Sequence, residues 1–458
     1  MKNHNSWLLI SVGLGVLLNP LNSSMISIAL TRLQEVYQLD YTAVSWVVFA
    51  FYIASSVAQP VMGKASDLFG RRRIFLAGLV VAFVASMLAP FSPGFGWLIV
   101  CRIIQSIGTS MMVAVGMAIV RIHIKENQAA ALSVLSVFLS GAAAVGPFIG
   151  AVIIGWWDWE AVFWVNIPFT AAGFALAWRS IPADHPKEAA AKGRPIIQWL
   201  EIMDVKGIVL FAAGLTSLLL GVLSFESSGA TASWQILTAL GGLTLLAGFV
   251  MHELRTASPF IPLRTFARYP AMTRVNVEYM LVNVLYYALF FGLPSYLQAV
   301  RQVSVFQTGI LMLSLGLCSL AAAPFAGRWV DRSGPGPALM LSALLMTFGS
   351  LWLAMWNGSW PVASICIALA AFGISSGLSG VGLQAALFQS SPKEIIGVAS
   401  GVFNTSRYFG TILSSLLTGL VMGGQLSSGG LRRLALVLTA IGLLLLFLNR
   451  QRLRARFR

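Results

Sequence analysis

Arg102 and Glu278 stand inside long apolar runs, where an ionisable group costs roughly 3 kcal/mol to insert and marks a functional candidate. Glu278 falls about 10 Å into the run 271–296 at the rise of a helix. A carboxylate at that depth can bind and release a proton, which is the chemistry of ion-coupled transport. The competing reading is an i,i+4 ion pair with Arg274 at the membrane edge. Arg102 falls about two turns into the run 96–120, where its stem is also long enough to snorkel outward. Asn22 donates and accepts hydrogen bonds but does not titrate. Together with Asn19, Met25, Met111, Met112, Asn283, Tyr286, Tyr287, Asn404 and Arg407 it would line a cavity of amide, thioether and aromatic surface, suited to varied amphipathic ligands. Packing or lipid contact is the alternative for each Met and aromatic residue.

These residues need helices to hold them at depth. Fourteen apolar segments supply them, approximately 7–30, 43–62, 74–91, 96–120, 129–153, 162–181, 207–225, 234–252, 271–296, 305–326, 337–356, 360–382, 395–424 and 431–449. Most reach the roughly 20 residues that span a bilayer. Between the second and third lies the charged stretch Gly63 to Arg73, predicted as a tight hairpin loop in which Gly63 and Gly70 permit close backbone approach or adopt turn dihedrals and Asp67 pairs with an arginine or caps a helix. Gly327, Asp331 and Gly334 repeat Gly63, Asp67 and Gly70 at an offset of 264 residues, and the same offset carries Leu33-Gln34 onto Leu297-Gln298 and Asn22 onto Tyr286. A register shared over several elements predicts an internal duplication, as in many secondary transporters, with substrate near the midplane.

The polar stretch 182–206 marks a boundary, giving a six-helix bundle over 1–181, a linker over 182–206, an extra helix pair over 207–252, a second six-helix bundle over 253–449 and a basic tail over 450–458. Of the 30 Lys and Arg, this layout puts only Arg32, Arg301, Arg432 and Arg433 outside and Arg102 and Arg407 within helices. The positive-inside bias then makes both termini cytoplasmic, with the tail against anionic headgroups. Trp156, Trp157, Trp159, Trp356 and Trp360 fall near predicted outer helix ends and suit an interfacial belt.

The stretch from Gly63 to Arg73 resembles the hallmark loop of the major facilitator superfamily, G-x-L-a-D-r-x-G-r-R, lacking its leucine (Ala65) and one arginine (Leu68). Ser45-Trp46-Val47 through Tyr52, Phe163-Trp164-Val165-Asn166-Ile167-Pro168 and Gly146-Pro147-Phe148-Ile149-Gly150 resemble motifs of its fourteen-helix drug:proton antiporter branch, with Ala151 in place of a last glycine. The resemblance covers nearly the whole chain. It implies an all-α polytopic membrane protein of two six-helix bundles plus two extra helices, exporting small amphipathic compounds against protons by alternating access. It implies that Arg102, in Arg102-Ile103-Ile104-Gln105-Ser106-Ile107-Gly108, takes part in proton coupling. It further implies that Gly63, Asp67, Gly70 and Arg71, with Gly327, Asp331 and Gly334, clasp the inner ends of the bundles, while Gly146, Pro147 and Gly150 bend helix 5. On helix 1 relatives carry an aspartate where this chain has Asn22, which removes one proton site and leaves Glu278 to carry coupling, or the coupling itself in question.

Composition bounds the alternatives. With 458 residues, 57% hydrophobic and 10% charged, the chain holds more apolar side chain than one soluble core uses. The net charge of +15 is a topology signal and not a nucleic-acid footprint. The three cysteines show no metal or redox spacing, His4, His123, His185 and His252 fall in loops or at segment edges, and no nucleotide-binding glycine loop occurs, so no enzyme, metal or cofactor is expected. The expected partners are a small-molecule substrate, protons and anionic lipid, for a monomer in a bacterial cell membrane. A carrier for one metabolite, antibiotic or lipid-like molecule without proton coupling, and a receptor that does not transport, are the alternatives.

Overall fold

A computed structural model describes residues 2–124, 128–184, 204–223, 232–257, 259, 261, 263–356, 360–391, 396–422 and 426–456. All regular structure among them is helical. In chain order the α-helices are α1 (Lys2–Val16), α2 (Leu18–Tyr37), α3 (Tyr41–Val44), α4 (Trp46–Phe69), α5 (Arg71–Leu88), α6 (Phe95–His123), α7 (Gln128–Trp157), α8 (Ala161–Trp164), α9 (Asn166–Ser180), α10 (Val205–Leu223), α11 (Ala232–Glu253), α12 (Leu263–Arg268), α13 (Pro270–Ala299), α14 (Val305–Ser333), α15 (Pro335–Met355), α16 (Ile365–Ser390), α17 (Ile396–Met422) and α18 (Ser428–Arg456). The pairs α1–α2, α3–α4 and α8–α9 each continue one predicted segment, and α12 is a short connector, so fourteen helices correspond to the fourteen apolar runs. Among the described residues eleven are long and apolar enough to cross a membrane, and two shorter apolar stretches, Gly141–Trp157 and Val205–Gly221, accompany them. The remaining helix, α17, is less apolar because Asn404, Thr405, Ser406 and Arg407 occupy its middle.

The charged stretch expected to form a loop is almost wholly helix. Chain reversal is left to Gly70 alone, at φ 98°, between the end of α4 and the start of α5. A left-handed glycine redirects the chain in one residue without steric cost, so no longer loop is needed. Gly334, at φ 75°, does the same between α14 and α15. Gly63 and Gly327 lie inside α4 and α14, and a β-carbon added at either meets no described atom within 4 Å, so the expected close backbone approach is not made there. The Asp67 side chain lies outside the described residues, as does the linker from 185 to 203.

The predicted offset of 264 residues reappears as matched turn chemistry. Gln38 and Gln302 both take a left-handed conformation (φ 52° and 54°), and each side-chain amide donates to the carbonyl three residues back, Glu35 at 2.7 Å and Ala299 at 2.8 Å. Two positions on, Asp40 accepts from the Ala43 amide at 2.6 Å and Ser304 accepts from the Gln307 amide at 3.2 Å, each capping the helix that follows. Gly70 and Gly334 complete the series.

The chain folds as two compact units. The first comprises Met1–Ser24, Trp46–Gly146 and Trp156–Leu263 and so includes the extra pair α10 and α11. The second comprises Met25–Ser45, Pro147–Gly155 and Arg264–Arg458. Within the first, α5 meets α6 at Gly78 and Gly108, and α10 meets α11 at Gly221 and Gly242, where a β-carbon would strike the facing backbone. Within the second, Gly373 and Gly377 play that part between α14 and α16, and Gly410 between α13 and α17. Small residues at such seams let apolar helices associate by van der Waals contact where lipid leaves no hydrophobic gain.

Trp156 and Trp157 are exposed, as an interfacial belt requires, but Trp159 and Trp356 are buried. Trp356 donates to Ser364 Oγ at 2.8 Å and lies under the Arg301 guanidinium at 4.9 Å, so this cation takes up its face.

Candidate functional site

In the first unit Arg102 projects from α6 and is 1% exposed. Its Nη1 donates to Gln105 Oε1 at 2.7 Å and its Nε to the Val47 carbonyl at 3.4 Å. The guanidinium lies 4.4 Å from the Phe51 ring centroid and 6.0 Å from that of Phe163. Gln105 passes the contact on to Ser86 Oγ at 2.9 Å. Among the described residues no carboxylate pairs with Arg102. The side chain does not snorkel, because ring faces and an amide oxygen solvate it internally.

Asn22 on α2 and Asn166 on α9 form a reciprocal amide pair, each Nδ2 donating to the other's Oδ1 at 2.7 and 2.8 Å. Both are 1% exposed. Asn166 also donates to the Phe163 carbonyl at 3.1 Å, so the pair ties α2 to the start of α9. Asn19 donates to Thr109 Oγ1 at 3.1 Å. Met111 and Met112 are buried against Gly78 and Met112 also against Gly15, as packing residues between α1, α5 and α6. A cap that the sequence did not disclose holds α5: the Arg72 and Arg73 amides donate to Asp184 Oδ1 at 2.9 Å and Oδ2 at 3.2 Å. This is the role expected of Asp67. A carboxylate there meets two unsatisfied first-turn donors and the positive end of the helix dipole.

A β-carbon added at Gly146 would strike Ser24 of α2 within the first unit, and one added at Gly150 would come within 3.1 Å of the Met25 carbonyl within the second, so both motif glycines of α7 are contact points with α2. Pro147 is interior to α7, where its missing amide leaves one ladder bond unmade. Ala151 presses on Gly309 of α14, so where the family motif has a glycine the small residue stands on the facing helix instead.

The second unit holds a different kind of ionisable centre. Glu278, 1% exposed on α13, is shared by two guanidinium groups. Arg274 Nε donates to Oε1 at 3.1 Å, and Arg452 Nη2 forms an ion pair with Oε2 at 2.8 Å, outside hydrogen-bond alignment. Arg274 Nη2 also donates to the Leu448 carbonyl. Glu278 is therefore buried and also paired with Arg274, the i,i+4 partner the sequence offered. The second arginine comes from α18, a helix that extends the apolar segment ending near 449 through the basic tail to Arg456.

Two cavities meet at this triad. One, of about 10 Å³, is lined by Glu278, Ser342, Ser379 and Asn449 among apolar side chains, and its volume is that of roughly one water. Asn449 donates to the Leu445 carbonyl at 2.9 Å, and its buried Oδ1 has no hydrogen-bond partner among the described residues. The other is an open vestibule of about 540 Å³, which Arg274 and Arg452 also line. The carboxylate thus lines the small chamber, and its two guanidinium partners line the wide one.

Further along α13, Asn283 donates to the Tyr279 carbonyl at 2.7 Å, Tyr286 stacks on Phe290 at 5.7 Å, and Tyr287 stacks on Phe291 at 5.7 Å. Tyr279 lies flat on Phe403 of α17 at 3.8 Å. Arg407 donates to the Tyr408 hydroxyl at 2.9 Å, and Asn404 is exposed. Met25 is buried, while Asp331 near the end of α14 is exposed. The structure therefore brings Asn283, Tyr286 and Tyr287 into one aromatic stretch. Arg71 is half-buried at the first turn of α5 in the other unit.

The family model described as Major Facilitator Superfamily matches residues 12–415 and 275–457. The MFS-type transporter YwoD of Bacillus subtilis strain 168, itself uncharacterised, is 41% identical over 441 residues, covering 96% of this chain and 95% of that protein. The chain belongs to the major facilitator superfamily and is a multi-pass membrane transporter. It is 27% identical over 425 residues to the tetracenomycin C resistance and export protein of Streptomyces glaucescens, covering 91% of this chain and 76% of the relative. The nucleoside transporter NupG shares its fold, with a TM-score of 0.67 at 11% identity over 97% of this chain and 99% of the other.

Proposed function

We propose that this transporter is a proton-coupled exporter of small amphipathic compounds, of the fourteen-helix drug antiporter branch, working by alternating access in a bacterial cell membrane. The observation that carries the coupling is the buried carboxylate of Glu278, held by Arg274 and Arg452 between two cavities. Protonating it would remove the charge that holds both guanidiniums. Proton binding would then be linked to a rearrangement of α13 against α18, as a coupled carrier requires. Arg102 serves in this reading as a positioning residue that fixes α6 against α4. Export as the direction is supported by the resistance and export relative. The positive-inside bias puts the Arg450 to Arg458 end in the cytoplasm, so that the vestibule opens there.

A second reading, a carrier for one specific antibiotic or metabolite, is favoured by the Asn22–Asn166 pair, which offers no negative charge to a cationic drug. Proteoliposomes containing the full chain separate the two when challenged with dyes, quaternary amines, neutral antibiotics and organic anions while lumenal pH is followed. Several classes should each drive proton movement in the native protein, and Glu278→Gln should abolish it at equal reconstitution. Undiminished proton movement by Glu278→Gln refutes Glu278 as the carrier. A response to a single compound establishes the second reading.

A further inference from the structure

The vestibule has a composition that neither proton coupling nor export requires. Among the described residues its polar lining consists of Arg274 on α13, Arg452 on α18, and Gln389 and Ser390 at the end of α16, and none of these described lining residues is acidic. Its two arginines share one carboxylate, Glu278, so the group keeps a net positive charge at the cavity wall. Arg452 spends Nη2 on Glu278, and its buried Nη1 has no hydrogen-bond partner among the described residues. Helices α13 and α15 begin at this cavity with Pro270 and Pro335 in their first turns, so the positive ends of two helix dipoles lie at its wall. The end of α16 opposes them with its carbonyls, and Gln389 and Ser390 there are uncharged. The volume of about 540 Å³ exceeds that of one phosphate group and lies within the roughly 300–1,000 Å³ of small-ligand clefts.

We propose that this vestibule binds a phosphate-bearing anion, supplied either by the headgroup of an anionic lipid or by free phosphate. Guanidinium groups at a cavity wall are suited to phosphate oxygens, and Arg274 and Arg452 both stand there. The site does not depend on what is exported. It differs from diffuse attraction of lipid to the row of arginines at the chain end, because it needs Arg274, which is far from that row in sequence. An occupant would compete with Glu278 for Arg452 and so loosen the triad.

Two probes test the site on the purified full chain. One is inorganic phosphate titrated into protein in neutral detergent against chloride at matched ionic strength. The other is transfer into nanodiscs of phosphatidylglycerol in phosphatidylcholine, compared with phosphatidylcholine alone. A saturable rise in unfolding temperature is expected with at least one probe, and Arg452→Gln should remove it. Gln389→Glu places a carboxylate in the vestibule without touching the triad and should weaken the response by about tenfold or more. A response to the lipid alone assigns the headgroup, and one to phosphate alone assigns the soluble ion. Absence of a saturable response to both probes overturns the site. So does a response that Gln389→Glu leaves unchanged, since the anion then binds elsewhere. If Arg452→Gln fails to fold, Gln389→Glu decides.

Discussion

Arg102 and Glu278 are equally buried, at 1% exposure each, yet their surroundings differ in kind. Arg102 is closed in by an amide oxygen, a backbone carbonyl and the ring faces of Phe51 and Phe163. Glu278 has two arginine partners, lines a chamber the size of one water, and lies next to a wide vestibule that both arginines line. Burial alone does not separate a structural charge from a working one. The difference lies in the kind of partner and in the space beside it, and it is on this difference that the proposed role of Glu278 in coupling rests.

The largest expected effects break this comparison if it is wrong. Glu278→Asp keeps the charge but shortens the reach to Arg274 and Arg452, and should move the pH profile of transport and lower its maximal rate. Arg102→Lys keeps the charge but loses the planar fork and the ring stacking, and should lower the unfolding temperature while leaving the pH profile of the remaining transport unchanged. Arg102→Ala also orphans Gln105 Oε1 and should cost about 3 kcal/mol of stability, read by thermal unfolding in detergent. A shifted pH profile in Arg102→Lys, with none in Glu278→Asp, would reverse the assignment.

The amide pair sharpens the same contrast on a smaller scale. Asn22→Ala leaves the buried Asn166 Oδ1 without its donor, while Asn166 Nδ2 keeps the Phe163 carbonyl, and should cost about 1–3 kcal/mol. Asn22→Asp keeps the donation from Asn166 Nδ2 but sets two oxygens against each other where Asn22 now donates. It should therefore destabilise at high pH and recover as pH falls and the new carboxyl is protonated. Unfolding temperature measured across pH checks the sign, and a pH-independent loss would mean that the pair is not a mutual donor–acceptor contact.

Sequence made the helices legible because their apolar runs are long, and it exposed the repeat because glycine at Gly70 and Gly334 has few substitutes at positive φ. Gln38 and Gln302 take the same left-handed conformation, but glutamine carries no sequence signature for it, so these turns emerged only from the structure. Glu278 was visible as a lone carboxylate in an apolar run, and Arg274 as its i,i+4 neighbour. Arg452 was not, because it stands in a row of arginines at the chain end, and only the continuation of α18 selects it to face α13. Asp184 was hidden for a related reason: it opens a polar stretch read as linker, and its contact with α5 spans more than a hundred residues. Long-range pairs leave no local period to read.

The smallest effects test the hinge glycines, where crowded and open positions again stand side by side. Gly70→Ala faces a left-handed φ and the Asp184 side chain together, and should cost about 1–2 kcal/mol by strain and by displacing the cap on Arg72 and Arg73. Gly63→Ala, seven residues earlier and inside α4, meets no described atom and replaces glycine by the best helix former, so it should stabilise by a few tenths of a kcal/mol up to about 1 kcal/mol. Unfolding temperatures of the two variants should thus move in opposite directions. Transport then tells the family-implied clasp apart from a purely local role. If Gly63 must meet another surface during the cycle, Gly63→Ala will transport poorly despite its stability, and the bulkier Gly63→Leu more poorly still. Full transport by a stable Gly63→Leu would leave Gly70 as the one glycine of this stretch whose backbone matters.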